Sequence, residues 1–155
     1  FSKNRIIPDC YRAINKQFLE LRNPSSIRPW QHILDVINGY LILGMNLHKN
    51  RKKFSGAWNF GPQQKNKSVK NLVDTFYNSL KKNIKIKISK SKKNKFKETY
   101  TLNLNSQKSK KYLKWKTKID FKKSINLTAE WYKKYLDKGD NRNITSSQIK
   151  NFFKL

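Results

Sequence analysis

The stretch Leu21-Arg22-Asn23-Pro24-Ser25-Ser26-Ile27-Arg28-Pro29-Trp30-Gln31-His32-Ile33-Leu34-Asp35 decides how this chain reads. Asn23-Pro24-Ser25-Ser26 is a turn by composition. Before it, Phe18-Leu19-Glu20-Leu21-Arg22 reads as a short strand. After it, a helix is predicted from about Gln31 to His48, with Ile33, Leu34, Ile37, Leu41 and Met45 on one side.

Outward from this stretch, Asn4 to Gln17 reads as a helix. Ile6, Ile7, Cys10, Tyr11, Ile14 and Phe18 recur at three and four, and Pro8 falls in the first turn, where a missing N–H costs little. Ala57-Trp58-Asn59-Phe60 reads as a buried strand stopped by Gly61-Pro62. Ser68 can cap a third helix carrying Val69, Leu72, Val73, Phe76 and Leu80. Ile84-Lys85-Ile86-Lys87-Ile88 alternates with period two, one face apolar and one face Lys. Ser89 to Lys97 reads as a solvated loop, and Tyr100 to Leu104 as another short strand. A short helix is expected over Ser106 to Leu113. A longer one, capped by Asp120 and ended by Gly139, carries Phe121, Ile125, Thr128, Tyr132, Tyr135 and Leu136. A weak terminal helix follows over Ile144 to Phe153. No internal repeat and no dividing linker is visible, so the mixed α/β pattern predicts one domain over residues 1–155.

Composition narrows the function classes. With 155 residues, 36% hydrophobic and 13% aromatic, the chain can bury a moderate core. Its longest apolar stretch, around Tyr40-Leu41-Ile42-Leu43-Gly44-Met45, is far below the roughly 18 residues a membrane span needs, and no membrane contact is expected. The start has no apolar body after its basic residues, and no initiating Met, which suggests a fragment. One cysteine, Cys10, excludes an internal disulfide and a Cys-rich zinc site and suits a cytoplasmic location; no metal is expected.

The net charge is +27, from 36 Lys and Arg against 9 Asp and Glu. Such a balance raises nucleic acid as a partner. Surface drift toward Lys gives the same total without a binding role. The Lys runs fall between core residues and build no single basic stripe with interleaved aromatics, and no zinc-finger, RRM or KH pattern is present. No specific nucleic-acid partner is therefore expected, although a basic nucleic-acid-binding protein remains an alternative.

Two segments are more than generic. One is Asn4-Arg5-Ile6-Ile7-Pro8-Asp9 followed by the opening stretch. The other is Gly39-Tyr40-Leu41 continuing to Ala57-Trp58-Asn59-Phe60-Gly61-Pro62. In order and spacing, from Phe1 to about Pro62, they resemble the C-terminal part of CDP-glucose 4,6-dehydratases, members of the extended short-chain dehydrogenase/reductase family. Beyond Gly61 the resemblance thins. Leu113-Lys114-Trp115 sits where the family has Leu-Gly-Trp, and Trp131 to Leu136 resembles a late family helix. Lys97, Asn105 and Lys114 depart from an expected His, Asp and Gly.

The resemblance implies a substrate-binding subdomain, helices with a few short strands, with most of the Rossmann sheet missing. It implies conversion of CDP-D-glucose to CDP-4-keto-6-deoxy-D-glucose and water, with NAD bound by an N-terminal domain absent here. The chain would begin just after the family's Gly-Gly-Gly-Asp turn, and the full-length enzyme would be a homo-oligomer. No Gly-rich dinucleotide fingerprint occurs in this sequence. The Tyr-x-x-x-Lys spacing at Tyr77/Lys81 and Tyr112/Lys116 follows the Arg-Pro-Trp-Gln-His string, whereas the family's catalytic pair precedes it. No catalytic residue is therefore assigned, and the chain alone is expected to be inactive. Another NAD-dependent sugar-nucleotide epimerase or dehydratase is the alternative within the superfamily.

The resemblance also implies roles for single residues. Arg28 would contact the substrate diphosphate, which a guanidinium fork fits in a bidentate way; the competing reading is a surface Arg. Arg5 and Ile6 would stand at the nucleotide pocket, against a helix-start Arg on the surface. Leu19 and Leu21 would pack on the pyrimidine ring, against plain core. Asn59 would lie near the substrate, against a role in tying down its turn. His32 is read as closing the loop by a hydrogen bond rather than as an acid or base, and His48 as stabilising a helix end. Trp30, Trp58, Trp115 and Trp131 read as core.

Overall fold

The structure, a computed structural model, describes residues 4–89 and 99–154. In chain order the elements are α1 (Ile6–Lys16), β1 (Phe18–Leu21), β2 (Ile27–Arg28), α2 (Ile33–Lys49), α3 (Arg51–Phe54), β3 (Lys67–Ser68), α4 (Val69–Leu80), β4 (Lys85–Ile88), α5 (Gln107–Leu113), α6 (Phe121–Leu136) and α7 (Asn141–Lys154). Helices dominate, and the strands form two separate pairs. β1 runs parallel to β4, with Leu19 opposite Ile86, and β2 runs antiparallel to β3, with Arg28 opposite Lys67.

Two hydrophobic clusters hold the fold. The larger is built where α4 lies on α6. Ser68 caps α4 in a reciprocal box with Asn71, which sets the helix phase. Leu72, Val73, Phe76, Tyr77 and Leu80 then face Ile125, Ala129 and Tyr132 of α6. Burying Phe76 alone, fully enclosed, contributes about 1.5–3 kcal/mol. Cys10, Ala13 and Ile14 of α1 and Leu19 and Leu21 of β1 complete this cluster. The Tyr77 hydroxyl donates to the Cys10 carbonyl at 3.0 Å, and burial pushes the Cys10 thiol up to about 12. The smaller cluster joins Phe54, Phe60, Leu113 and Trp115 to Ile42, Leu43, Leu47 and Trp58. α7 closes on α6, with Phe152 buried and Gln148 Nε2 donating to the Leu127 carbonyl.

Several sequence expectations change. Ile33, Ile37, Leu41 and Met45 of α2 are exposed, while Asp35 and Gly39 are buried. The helix is apolar nearly all round, so periodicity could not choose its inner face. Ala57 to Phe60 forms no strand. Its polar partners are side chains: Lys108 Nζ donates to Ala57 O, and Ser109 Oγ to Asn59 O at 2.6 Å. Tyr100 to Leu104 contributes only a single bridge, Thr101 to Ile27. α6 ends at Leu136, and Lys138 rather than Gly139 takes the left-handed φ of 51° beyond it. The loop expected over Ser89 to Lys97, and Lys97 itself, lie outside the described residues after Ser89. Among the described residues, no helix is long and apolar enough to cross a membrane.

Candidate functional site

The decisive stretch folds as a turn, a two-residue strand and a helix cap, each tied to a distant segment. Ser26 O and Pro24 O accept the N–H groups of Val69 and Lys70, docking the turn on the start of α4. The carbonyl of Ile27 accepts Leu102 N–H, and its own N–H donates to Tyr100 O, so the bridge to Thr101 lies beside β2. Trp30 Nε1 donates to Lys67 O at 2.9 Å. Arg28 therefore sits on a small platform of three strand-like segments. Its Nη1 donates to Ile27 O at 2.8 Å and to Tyr100 O at 3.2 Å, which orients the guanidinium.

Next comes the start of α2. His32 is buried, and its Nδ1 accepts the Leu34 N–H at 3.3 Å, so it caps the helix. Burial holds this imidazole below its ordinary range. The structural reading of His32 stands, and His48 falls in the last turn of the same helix. Asp35, which the sequence reading quoted but did not single out, is fully buried. Its carboxylate accepts Lys118 N–H at 2.8 Å and Ile119 N–H at 3.3 Å. Burial raises its pKa, and the two backbone donors oppose that rise. A signal was present: an acid in the first turn of an apolar helix suits the positive end of the helix dipole.

One groove borders this platform and another lies along α1 and β1. The first, about 450 Å³, is lined by Trp30, Gln31, Tyr40, Trp58, Asn59 and Leu104 among others. Gln31 Nε2 is buried here without a hydrogen-bond partner, so a donor is held beside the groove. Asn59 Nδ2 donates to Asn105 O at 3.4 Å. The other, about 530 Å³, runs along α1 and β1, lined by Asn4, Asp9, Arg12, Leu19, Arg22 and Ser89 among others. Asp9 and Arg12 pair across one turn on its wall.

The six residues singled out from the sequence are thus not gathered in one pocket. Arg28 stands on β2, Asn59 lines the first groove and Leu19 the second. Arg5 is the exposed N-cap of α1, and Ile6 packs partly on the larger cluster. Leu19 and Leu21 are each 4% exposed and belong to the core. Tyr77 is buried, and burial pushes its hydroxyl upward, so the Tyr77/Lys81 pair offers no proton-transfer group. Tyr112 is exposed on α5 and Lys116 lies beyond that helix.

No protein-family model matches the chain. Over 76 residues, 48% of the chain and 21% of the relative, it is 45% identical to CDP-glucose 4,6-dehydratase of Salmonella typhimurium. Two solved structures carry the same fold. A UDP-glucose-4-epimerase from Stenotrophomonas maltophila, with bound NAD and formylated UDP-arabinopyranose, superposes with a TM-score of 0.72 at 14% identity, over 88% of this chain and 41% of that one. The dTDP-glucose 4,6-dehydratase of Bacillus anthracis, in complex with NAD, gives 0.64 at 19% identity, over 84% and 39%. The chain has the fold of part of each of these two enzymes.

The chain spans about a fifth of the curated relative that it matches and about two-fifths of the solved structures. The extended dehydrogenase fold holds its dinucleotide on a parallel sheet with a Gly-rich turn leading into a helix. The described residues do not fit that group. Their one parallel pair is β1–β4, and β1 runs into Arg22-Asn23-Pro24 rather than a Gly-rich turn.

Proposed function

We propose that this chain is the substrate-binding portion of a CDP-glucose 4,6-dehydratase, an NAD-dependent lyase acting on a nucleotide sugar. The observation that carries the reading is the 45% identity to a CDP-glucose 4,6-dehydratase. That identity runs over 76 residues, 48% of the chain. NAD would be held by residues outside this chain, and no step of the reaction runs through the residues described here.

The part of this chain would be binding and orientation. Arg28, oriented by two backbone carbonyls, suits the diphosphate, whose oxygens a guanidinium can bridge. Arg5 and Ile6 at the start of α1, with Leu19 beside the α1–β1 groove, suit the nucleoside end. Leu21 would support that groove from the core. Asn59 and Gln31 give the first groove two amides between rings, a pattern that suits sugar hydroxyls.

The test is ligand-observed NMR on the purified chain with CDP-glucose, CMP, UDP-glucose and dTDP-glucose. Saturation transfer to CDP-glucose that exceeds transfer to the other three is the expected result. Equal transfer to all four nucleotides would favour a different sugar-nucleotide enzyme. Transfer to none would remove the binding role.

A further inference from the structure

Read along the chain, the lysines form no stripe, but folding gathers a set of them. Residues 36–69 and 99–119 hold twelve Lys and Arg and no Asp or Glu. These two segments build one lobe, the one around Phe54, Phe60, Leu113 and Trp115. Asp35, which precedes the first segment, is buried and bonded to backbone N–H groups, so it offers no surface charge. The other described carboxylates, Asp9, Glu20, Asp74, Asp120, Glu130, Asp137 and Asp140, lie on or next to α1, β1, α4, α6 and α7.

On this lobe α3 and α5 share one hydrophobic cluster, through Phe54 and Leu113. Lys108 donates to Ala57 O at 2.9 Å and lies 4.2 Å from the Trp58 ring centroid, which fastens α5 to the segment after α3. Arg51, Lys52 and Lys53 of α3 and Lys110, Lys111 and Lys114 at α5 are all exposed. Rings stand among them. Lys53 is 5.4 Å from the Phe54 ring, and Lys111 is 5.3 Å from that of Tyr112, which is 52% exposed.

We propose that the α3–α5 face is a docking surface for single-stranded nucleic acid, held by its phosphate backbone without sequence preference. Two facts support this partner. The described residues of the two segments carry cations and no carboxylate, which suits a continuous polyanion. Tyr112 stands exposed beside Lys111, a ring on which an unpaired base can stack. An anionic membrane would use the charge but not that stacking. The proposal is independent of the sugar-nucleotide reading.

The experiment is fluorescence anisotropy of a labelled fifteen-nucleotide oligouridine, about the span of one such site, with the full 155-residue chain across a salt series. Two variants each remove four charges. One carries Lys52, Lys53, Lys110 and Lys111→Gln on the lobe. The other carries Lys122, Lys123, Lys133 and Lys150→Gln on α6 and α7. All eight positions are exposed, so both should fold, with circular dichroism as the check. The lobe variant should bind at least about tenfold more weakly at low salt, and its salt slope should be shallower by about 0.7 per lost phosphate contact. The α6–α7 variant should stay within about threefold of wild type, since charges outside the site act only through the screened general field. Equal losses in the two variants would overturn the proposal, because net charge alone would then explain binding. So would a wild-type chain that leaves the oligouridine unbound, including one that sediments only with phosphatidylserine vesicles.

Discussion

The backbone carbonyl of Asp35 accepts the indole N–H of Trp115 at 3.0 Å, across 80 residues of sequence. The Asp35 carboxylate holds the N–H groups of Lys118 and Ile119 at the same junction. One residue thus fixes the first turn of α2 against the segment that leads into α6. Asp35→Ala takes the acceptor from two backbone donors, one buried and one half-buried, and should destabilise the chain by about 2–4 kcal/mol. Trp115→Phe keeps a ring and loses one hydrogen bond, so it should cost less, about 1–2 kcal/mol. Urea unfolding of the two variants and wild type checks the order.

His32 makes stability depend on pH. Its folded pKa lies below the ordinary 6.5 because of burial, so the unfolded chain binds the proton more readily. Stability should therefore rise with pH through the window that ends near 6.5, and fall on acidification below it. His32→Asn keeps a capping oxygen for the Leu34 N–H and removes the titration. Melting temperatures at pH 5, 6 and 7.5 should rise less steeply in the variant than in wild type.

Two glycines of α2 should respond in opposite directions to alanine. A Cβ on Gly39 would lie 2.8 Å from Phe60 Cε1 and 2.9 Å from its Cγ. That ring is itself wedged edge-on against Trp115, with centroids 5.2 Å apart. Overpacking costs about 1–3 kcal/mol, which outweighs the roughly 1 kcal/mol that alanine gains in a helix. Gly44 has nothing within 4 Å of the same position, so Gly44→Ala should stabilise by about 0.4–1 kcal/mol. Thermal denaturation of both single variants is the check.

The outer face of α2 predicts self-association. Ile33, Ile37, Tyr40, Leu41 and Met45 are 61%, 42%, 61%, 54% and 59% exposed along about four turns. An apolar stripe of that kind promotes association. Leu41→Lys should change the unfolding free energy by less than about 0.5 kcal/mol and reduce association in sedimentation velocity at high protein concentration. A loss of more than about 2 kcal/mol in the isolated chain would mean that Leu41 is buried.

Arg28 should show graded losses in CDP-glucose binding. A charge-assisted bond contributes about 1.5–3 kcal/mol, or roughly 10- to 150-fold in affinity. Arg28→Ala should lose that much. Arg28→Lys should recover only part of it, since an ammonium cannot fork across two oxygens. Isothermal titration with CDP-glucose on the three forms measures it, with melting temperature as the folding check. Unchanged affinity in Arg28→Ala would make Arg28 a surface residue that only braces β2.

Much of the fold was legible locally, because the interactions that set it are local. Ser68 with Asn71, and Asp120 with Lys123, fix the starts of α4 and α6 within one turn, and apolar spacing then determines which faces bury. The alternation at Lys85 to Ile88 identified β4, and the Arg-Pro-Trp-Gln-His string carried the family resemblance. What escaped the sequence was set by partners far along the chain. α2 is apolar on most sides, so only the contacts of Asp35, Gly39 and Leu43 with α5 and its neighbours decide that Leu41 faces out. Ala57 to Phe60 has strand-forming residues but no strand to pair with, and side chains from α5 satisfy its carbonyls instead. The net charge is a property of the sequence. Which of those charges share a face is decided by the tertiary structure, because the cluster of Phe54 with Leu113 brings the cations of α3 and α5, more than fifty residues apart, onto one lobe.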